Sequence, residues 1–311
     1  MRTALKDAML IGTMLAAMAG VANAQSTVPF VDSHSHVLPG MTPAQEIAMF
    51  RDAGLSHVVI MDPQADMLAA FVREGGDYVT PFVTVARLNS IAGLRLDADT
   101  AGAFAGLADK GAVCGFGELP TRLEQDAGMT DVAALTDARR QAIYDVAEAR
   151  RLPLTVHTSL ESPEVIAAIE TIAADHPHMT LVLAHAGVVA DAALMARLLD
   201  AHPNLMADLS MRLDRVGGWP EAGKTGPRVD GKDTILLADG SLQPDWAALI
   251  ERRPDRFMFG MDLARTERPT WIRELVATAR TALGPLPLPV QHAVAHGNAE
   301  RLIGRCVPGG S

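Results

Sequence analysis

Cysteine is almost missing: Cys114 and Cys306 are the only two in 311 residues, and they stand far apart. Cys114 falls in an apolar run that reads as a core strand, so a small buried thiol is the expected state and a bridge to Cys306 the lesser alternative. No Lys/Arg cluster is dense enough to follow a phosphate backbone, and the formal net charge is −10, which excludes nucleic acid as an expected partner. No G-x-G-x-x-G follows the first apolar strand, which argues against a doubly wound dinucleotide-binding sheet. Beyond the amino terminus no stretch reads as a transmembrane helix, and the chain shows neither short internal repeats nor low-complexity tracts.

The chain opens on a processing signal. Arg2 and Lys6 precede a small-residue apolar stretch, Ala8 to Val21, and Ala22-Asn23-Ala24 is an A-x-A cleavage pattern. That stretch is shorter than the roughly 20 residues that span a bilayer. Residues 1–24 are therefore read as a secretory signal peptide cut after Ala24, and the protein as secreted or periplasmic with no membrane contact after cleavage. There is no cysteine at the cut, so lipidation is not expected. Loss of Arg2, Lys6 and Asp7 takes the formal charge from −10 to −11. Residues 25–311 then form one domain, of a length that suits a single α/β barrel.

Apolar strand-like runs alternate with amphipathic segments, the pattern of a parallel sheet covered by helices. The first strand ends in Val31-Asp32-Ser33-His34-Ser35-His36-Val37. Further strands are expected over Leu55 to Asp62, Val79 to Ala86, Ala112 to Leu119, Leu152 to Thr158, Met179 to His185, Asn204 to Ser210 and Phe257 to Asp262. Helices are expected after Thr42-Pro43, with Gln45 completing a capping box, and over Ala65 to Glu74, Asp99 to Lys110, Leu135 to Arg150, Pro163 to Asp175, Asp191 to Ala201, Asp245 to Arg252 and Thr270 to Leu283. A Pro-rich breaker, Gly284 to Pro289, precedes an extra terminal helix, Val290 to Gly304. Eight strand–helix units predict a (β/α)8 TIM barrel. One long insert, Arg212 to Gln243 after the seventh strand, is rich in Gly and charge, carries Trp219 and reads as a functional lid.

Barrel active sites lie at the carboxyl ends of the strands. In an extended strand, next-but-one residues share a face about 6.6 Å apart, so His34 and His36 converge on one point. Glu118 ends the fourth strand, His157 the fifth, His185 the sixth and Asp262 the eighth. Five strand ends thus carry metal-type ligands at one level. Asp32 shares the face of His34, and Asp208 and Ser210 end the seventh strand as candidate supporting groups. Arg87, Arg122, Arg212 and Arg265 follow strands and are candidates to pair with a substrate carboxylate, while Trp219 is a candidate cap for an apolar substrate.

The D-x-H-x-H pattern followed by His, His and Asp at later strand ends resembles the amidohydrolase superfamily of metal-dependent barrels. Leu183-Ala184-His185-Ala186-Gly187, Pro254 to Asp262 and Gly297-Asn298-Ala299-Glu300-Arg301-Leu302 resemble its amidohydrolase-related branch, which includes aminocarboxymuconate semialdehyde decarboxylase. The resemblance implies that His34, His36, His157 and Asp262 hold a divalent metal, with zinc the expected ion, and that His185 faces the metal-bound water or the substrate. Two-metal members use a fourth-strand carboxylate to bridge the ions, with His157 and His185 on the second. Glu118 stands where it could do this, and in a one-metal site it would face the substrate or support the ligands.

Asp262, as general base, and His185, as carbonyl-polarising group, are the expected catalytic residues. The expected activity is hydrolysis of a small amide, lactone or ester by a metal-activated water. Non-oxidative decarboxylation of an unsaturated or aromatic acid is the alternative chemistry, and a non-catalytic periplasmic binding protein the alternative class. The expected partner is a small-molecule substrate, and a homo-oligomer is compatible with the sequence.

Overall fold

The structure is a computed structural model, and it describes residues 28–85, 94, 96–120, 132–214, 234–264 and 268–304. The segment expected to be a signal peptide (residues 1–24), Arg87, Arg122, Trp219, Arg265 and Cys306 lie outside the described residues.

Eight parallel strands follow one another in sequence order: β1 (Phe30–His36), β2 (Leu55–Asp62), β3 (Val79–Val83), β4 (Gly115–Pro120), β5 (Pro153–His157), β6 (Thr180–Leu183), β7 (Leu205–Asp208) and β8 (Phe257–Met258). The ladder continues past β8 to meet β1. Ser33 N donates to Phe259 O at 3.0 Å, His36 N donates to Leu263 O at 3.1 Å, and Ser35 pairs with Leu263. These bonds join the first and last strands, and the fold is a (β/α)8 TIM barrel.

The helices that cover the sheet start where capping chemistry says they should. In α1 (Pro43–Asp52) the Thr42 side chain accepts from Gln45 N while Gln45 Oε1 accepts from Thr42 N at 2.9 Å, a complete capping box with Pro at the first position. The other outer helices are α2 (Ala65–Gly75), α3 (Thr100–Asp109), α4 (Val132–Thr136), α5 (Ala138–Arg150), α6 (Pro163–Asp175), α7 (Ala192–Ala201), α8 (Pro244–Arg252) and α9 (Ile272–Leu283). The helix expected over Leu135 to Arg150 is in fact two, because the Asp137 carboxylate accepts from Arg139 N at 2.8 Å and caps a new start. The terminal helix is also divided, into α10 (Leu288–His292), a π turn (Ala293–Gly297) and α11 (Asn298–Ile303).

Helix α11 closes the amino-terminal end of the barrel. Its Ala299 packs with Val31, Val182, Met206 and Met258, and its Ile303 with Val59, Met61, Phe82 and Cys114. Cys114 is disulfide-bonded. The expectation of a free buried thiol is therefore corrected: its location in the core did not decide its state, since a disulfide sulfur packs there as readily as a small thiol. At the foot of the long insert, Ile235 N donates to Arg212 O at 3.0 Å and Gln243 N to Ile235 O at 2.8 Å, which brings its two ends together.

Candidate metal centre

The carboxyl-terminal mouth gathers polar side chains from five strands into one buried cluster. His34 Nε2 and His36 Nε2 lie 3.3 Å apart, so alternation along β1 does bring both rings to one face. Asp262 Oδ1 is 3.7 Å from His34 Nε2 and 3.4 Å from His36 Nε2. Across the mouth, Glu118 Oε1 lies 2.7 Å from His157 Nδ1 and 3.2 Å from His185 Nε2, while its Oε2 lies 3.6 Å from His36 Nε2. Among the described residues three sets of three ligand atoms result, each within 4.8 Å: His34 with His36 and Asp262, Glu118 with His157 and His185, and His34 with His185 and Asp208, the last drawn together by the Asp208 carboxylate behind the two rings. Glu118 joins the first two. His157 lies nearest Glu118 and His185.

Local backbone geometry aims these groups. His185, Ala186, Val188, Met211 and Asp262 all have left-handed φ, between 46° and 61°, directly after β6, β7 and β8. Such conformations are uncommon for residues other than glycine and concentrate at functional sites. They also explain why the sixth and eighth strands stop short of their expected ends at His185 and Asp262. Gly117 has φ 120°, and a Cβ there would stand 2.4 Å from Thr155 O. Only glycine lets β4 run this close to β5, which sets Glu118 beside His157.

A layer of supporting residues fixes the imidazole protons. Asp208 Oδ2 accepts from His34 Nδ1 at 3.0 Å. Ser210 Oγ donates to Asp208 Oδ1 and accepts from His185 Nδ1 at 2.8 Å, and Asp208 Oδ1 also accepts from His185 N at 3.2 Å. One carboxylate thus directs the Nε2 lone pairs of both His34 and His185 inward. Asp32 serves differently. Its oxygens accept from His34 N at 3.1 Å, from Met261 N at 2.9 Å and from Ser35 Oγ, which braces β1 against the Asp262 turn.

Electrostatics within the cluster are strongly coupled. Burial opposes charge on His34, but Asp208, Glu118 and Asp262 outweigh it and push the imidazole up to about 10. His36 is raised against the same penalty by Asp262 and Glu118. Glu118 falls well below the usual carboxylate range despite burial, because His157 and His34 face it, and Asp262 falls for the same reason beside His36, His185 and His34. The mouth is a set of charged carboxylates that holds cations.

Two buried atoms show what kind of cation fits. Asp262 Oδ1 and His185 Nε2 are inaccessible and make no hydrogen bond, although imidazole or carboxylate atoms stand 3.2 to 3.7 Å away. Buried polar atoms rarely lack partners. Close spacing without a shared proton is the arrangement of ligand atoms around a common ion, and a set of imidazoles and carboxylates suits a divalent transition metal. Solvent reaches the cluster beside His157 and His36, whose side chains are 35% and 16% exposed, whereas His34, Glu118 and His185 are closed off.

Arg212 has partners within the chain. Its guanidinium is buried, donates to Val188 O and to Ala190 O at 2.8 Å, and stacks 5.0 Å from the Trp246 ring centroid. It braces the loop after β6 through carbonyls and a ring that chain position alone did not reveal as partners. Two buried carboxyls beside the site went unread. Asp62 ends β2 as Asp262 follows β8, and burial pushes it up to about 6. Glu46 Oε1 accepts from Leu38 N at 3.0 Å, its Oε2 is buried without a partner, and burial pushes it up to about 8. Asp62 could have been found from its position at a strand end. Glu46, on α1, carried no such signal.

A profile of the Amidohydrolase family matches residues 31–305. No curated protein matches the chain. Among solved structures, an amidohydrolase from Burkholderia multivorans with bound HEPES is similar, with 17% identity, a TM-score of 0.54 and coverage of 89% of this chain and 99% of the other. A crystal of that amidohydrolase with bound zinc gives 17% identity and a TM-score of 0.51 over 89% of this chain and 99% of the other. A probable 2-pyrone-4,6-dicarboxylic acid hydrolase from Acinetobacter baumannii, with citric acid bound, has 12% identity and a TM-score of 0.54 over 88% of this chain and 99% of the other. At these identities the structural likeness speaks for the fold, and the profile for the family: the chain belongs to the Amidohydrolase family and is an enzyme of the amidohydrolase superfamily.

Proposed function

We propose that the protein is an exported, metal-dependent hydrolase of small lactones, amides or esters. His34, His36 and Asp262 would hold one divalent ion, and His157 and His185 a second, with the Glu118 carboxylate shared between them. The observation that carries this reading is the pair of buried, unpartnered ligand atoms, Asp262 Oδ1 and His185 Nε2, facing into a cluster drawn from five strands. Zinc suits the donor set, and the similarly folded Burkholderia protein contains it. When bound, such ions act as Lewis acids and lower the pKa of water to about 7.

The chain's own residues supply the rest. Asp262, kept charged by the imidazoles around it, accepts the proton that water gives up on adding to the carbonyl carbon and passes it to the leaving oxygen or nitrogen. Asp208 and Ser210 hold the protons of His34 and His185 on the outward ring nitrogens throughout. His157 and His36 line the solvent-facing side, where substrate enters. Export is supported by the basic, apolar, A-x-A leader and by the disulfide at Cys114, a bond that persists in oxidising compartments.

Lactones are the first substrates to assay, since the Acinetobacter protein of similar fold is described as a pyrone hydrolase. Dialysis against a chelator should abolish hydrolysis across a lactone, amide and ester panel, and zinc should restore it. Hydrolysis indifferent to chelator would overturn the reading. So would carbon dioxide release from unsaturated or aromatic acids with no hydrolysis of any panel member.

A further inference from the structure

Away from the mouth, two histidines meet on the segment that closes the barrel. His292 ends α10 and His296 lies in the π turn. His292 Nδ1 stands 3.0 Å from His296 Nε2, with the ring centroids 5.2 Å apart and the planes at 75°. On the far side of the His296 ring, Nδ1 is shielded from solvent and lies 3.0 Å from Glu300 Oε2, though out of line for a hydrogen bond. The carboxylate favours a proton on that nitrogen, which leaves the Nε2 lone pair directed at His292.

From these contacts we infer that His292 and His296 form a second, peripheral site for a divalent transition metal, with Glu300 positioning His296. Two nitrogens on one tetrahedral zinc ion, each about 2.05 Å from it, lie about 3.3 Å apart. The observed pair needs only a small ring adjustment to admit an ion in place of the proton between them. Imidazole nitrogens select zinc, nickel or copper over magnesium or calcium, and a carboxylate behind a ligating imidazole is the usual outer partner of such a ligand. π turns occur frequently at functional sites, and this one, Ala293–Gly297, begins directly after His292 and contains His296.

The site is distinct from the metal centre. Asn298, two residues beyond His296, donates to Phe257 O and Pro254 O, both at 2.7 Å, at the start of β8. Val294 O accepts from Phe259 N at 2.9 Å. An ion here would tie α10 to α11 across the π turn and stiffen the segment anchored to β8.

The test is calorimetric titration of untagged, zinc-loaded full-length protein with nickel. One further equivalent should bind to the wild type, and both His292→Asn and His296→Asn should weaken it at least tenfold. Glu300→Gln should weaken it by a smaller factor. Tightly held zinc should be unchanged in all three variants, which separates this site from the mouth. Nickel should also raise the wild-type thermal midpoint and leave that of His292→Asn unmoved. Equal nickel binding by the wild type and both histidine variants, or no equivalent beyond the zinc already held, would overturn the inference.

Discussion

Asp208 is the single residue on which two imidazoles of the metal centre depend, through Nδ1 of His34 directly and through Ser210 for His185. Replacing it with Asn removes the charge that holds both protons outward, and outer partners of this kind are worth about 10–100-fold in metal affinity. Asp208→Asn should lose zinc to a competing chelator at correspondingly lower chelator concentration, and unchanged competition would refute its positioning role. Glu46 gives a pH signature. Its carboxyl is raised by burial from an ordinary 4.5 to about 8, so the folded state binds the proton more tightly than the unfolded one. Its neutral form supports the fold fully below pH 4.5, and that support is lost as pH rises toward 8. Glu46→Gln should therefore gain stability relative to wild type across this window and level off above it, as read by urea midpoints. A difference flat with pH would contradict the assignment. The ligands themselves were legible because each ends a strand, whereas Glu46 was not, since its burial depends on how α1 settles under the loop after β1.

Elements repeated the sequence pattern where local chemistry decides and departed from it where tertiary geometry does. The Thr42 capping box and the Pro163 start of α6 are local, and both stand where the residues place them. The ends of β6 and β8 are not, because the chain leaves the ladder through left-handed residues that only the assembled mouth supports. The approach of β4 to β5 at Gly117 is likewise a property of the barrel. Gly117→Ala would set a methyl 2.4 Å from Thr155 O, so the strands must separate and Glu118 must withdraw from His157. The expected result is a less stable protein that retains one tightly bound zinc ion and loses the other. A variant with wild-type zinc content and stability would show that the close approach is dispensable.

At the scale of the molecule, a disulfide-bonded cysteine and a cluster of candidate metal ligands stand at opposite ends of the barrel. Cys114, at the approach to β4, is disulfide-bonded and packs with Ile303 of α11 at the floor. A disulfide stabilises by about 2–4 kcal/mol in typical cases. Reduction should lower the denaturation midpoint accordingly, and an identical midpoint with and without reductant would contradict it. The bond was illegible because an apolar strand around Cys114 suits a buried thiol and a buried disulfide equally. At the other end, the barrel and the five ligand-bearing strand ends were readable from alternation alone. A division into two groups joined by Glu118 was one of two arrangements the family resemblance offered, and strand alternation could not choose between them, because the choice depends on distances across the mouth. That division is tested most directly by counting tightly bound zinc in chelator-stripped, re-loaded protein alongside hydrolytic activity, for the wild type and Glu118→Gln. Two ions per chain in the wild type, with activity restored in step with their uptake and the second ion lost from Glu118→Gln, is the predicted result. Full activity in the stripped protein, or the same ion count in both, would contradict it.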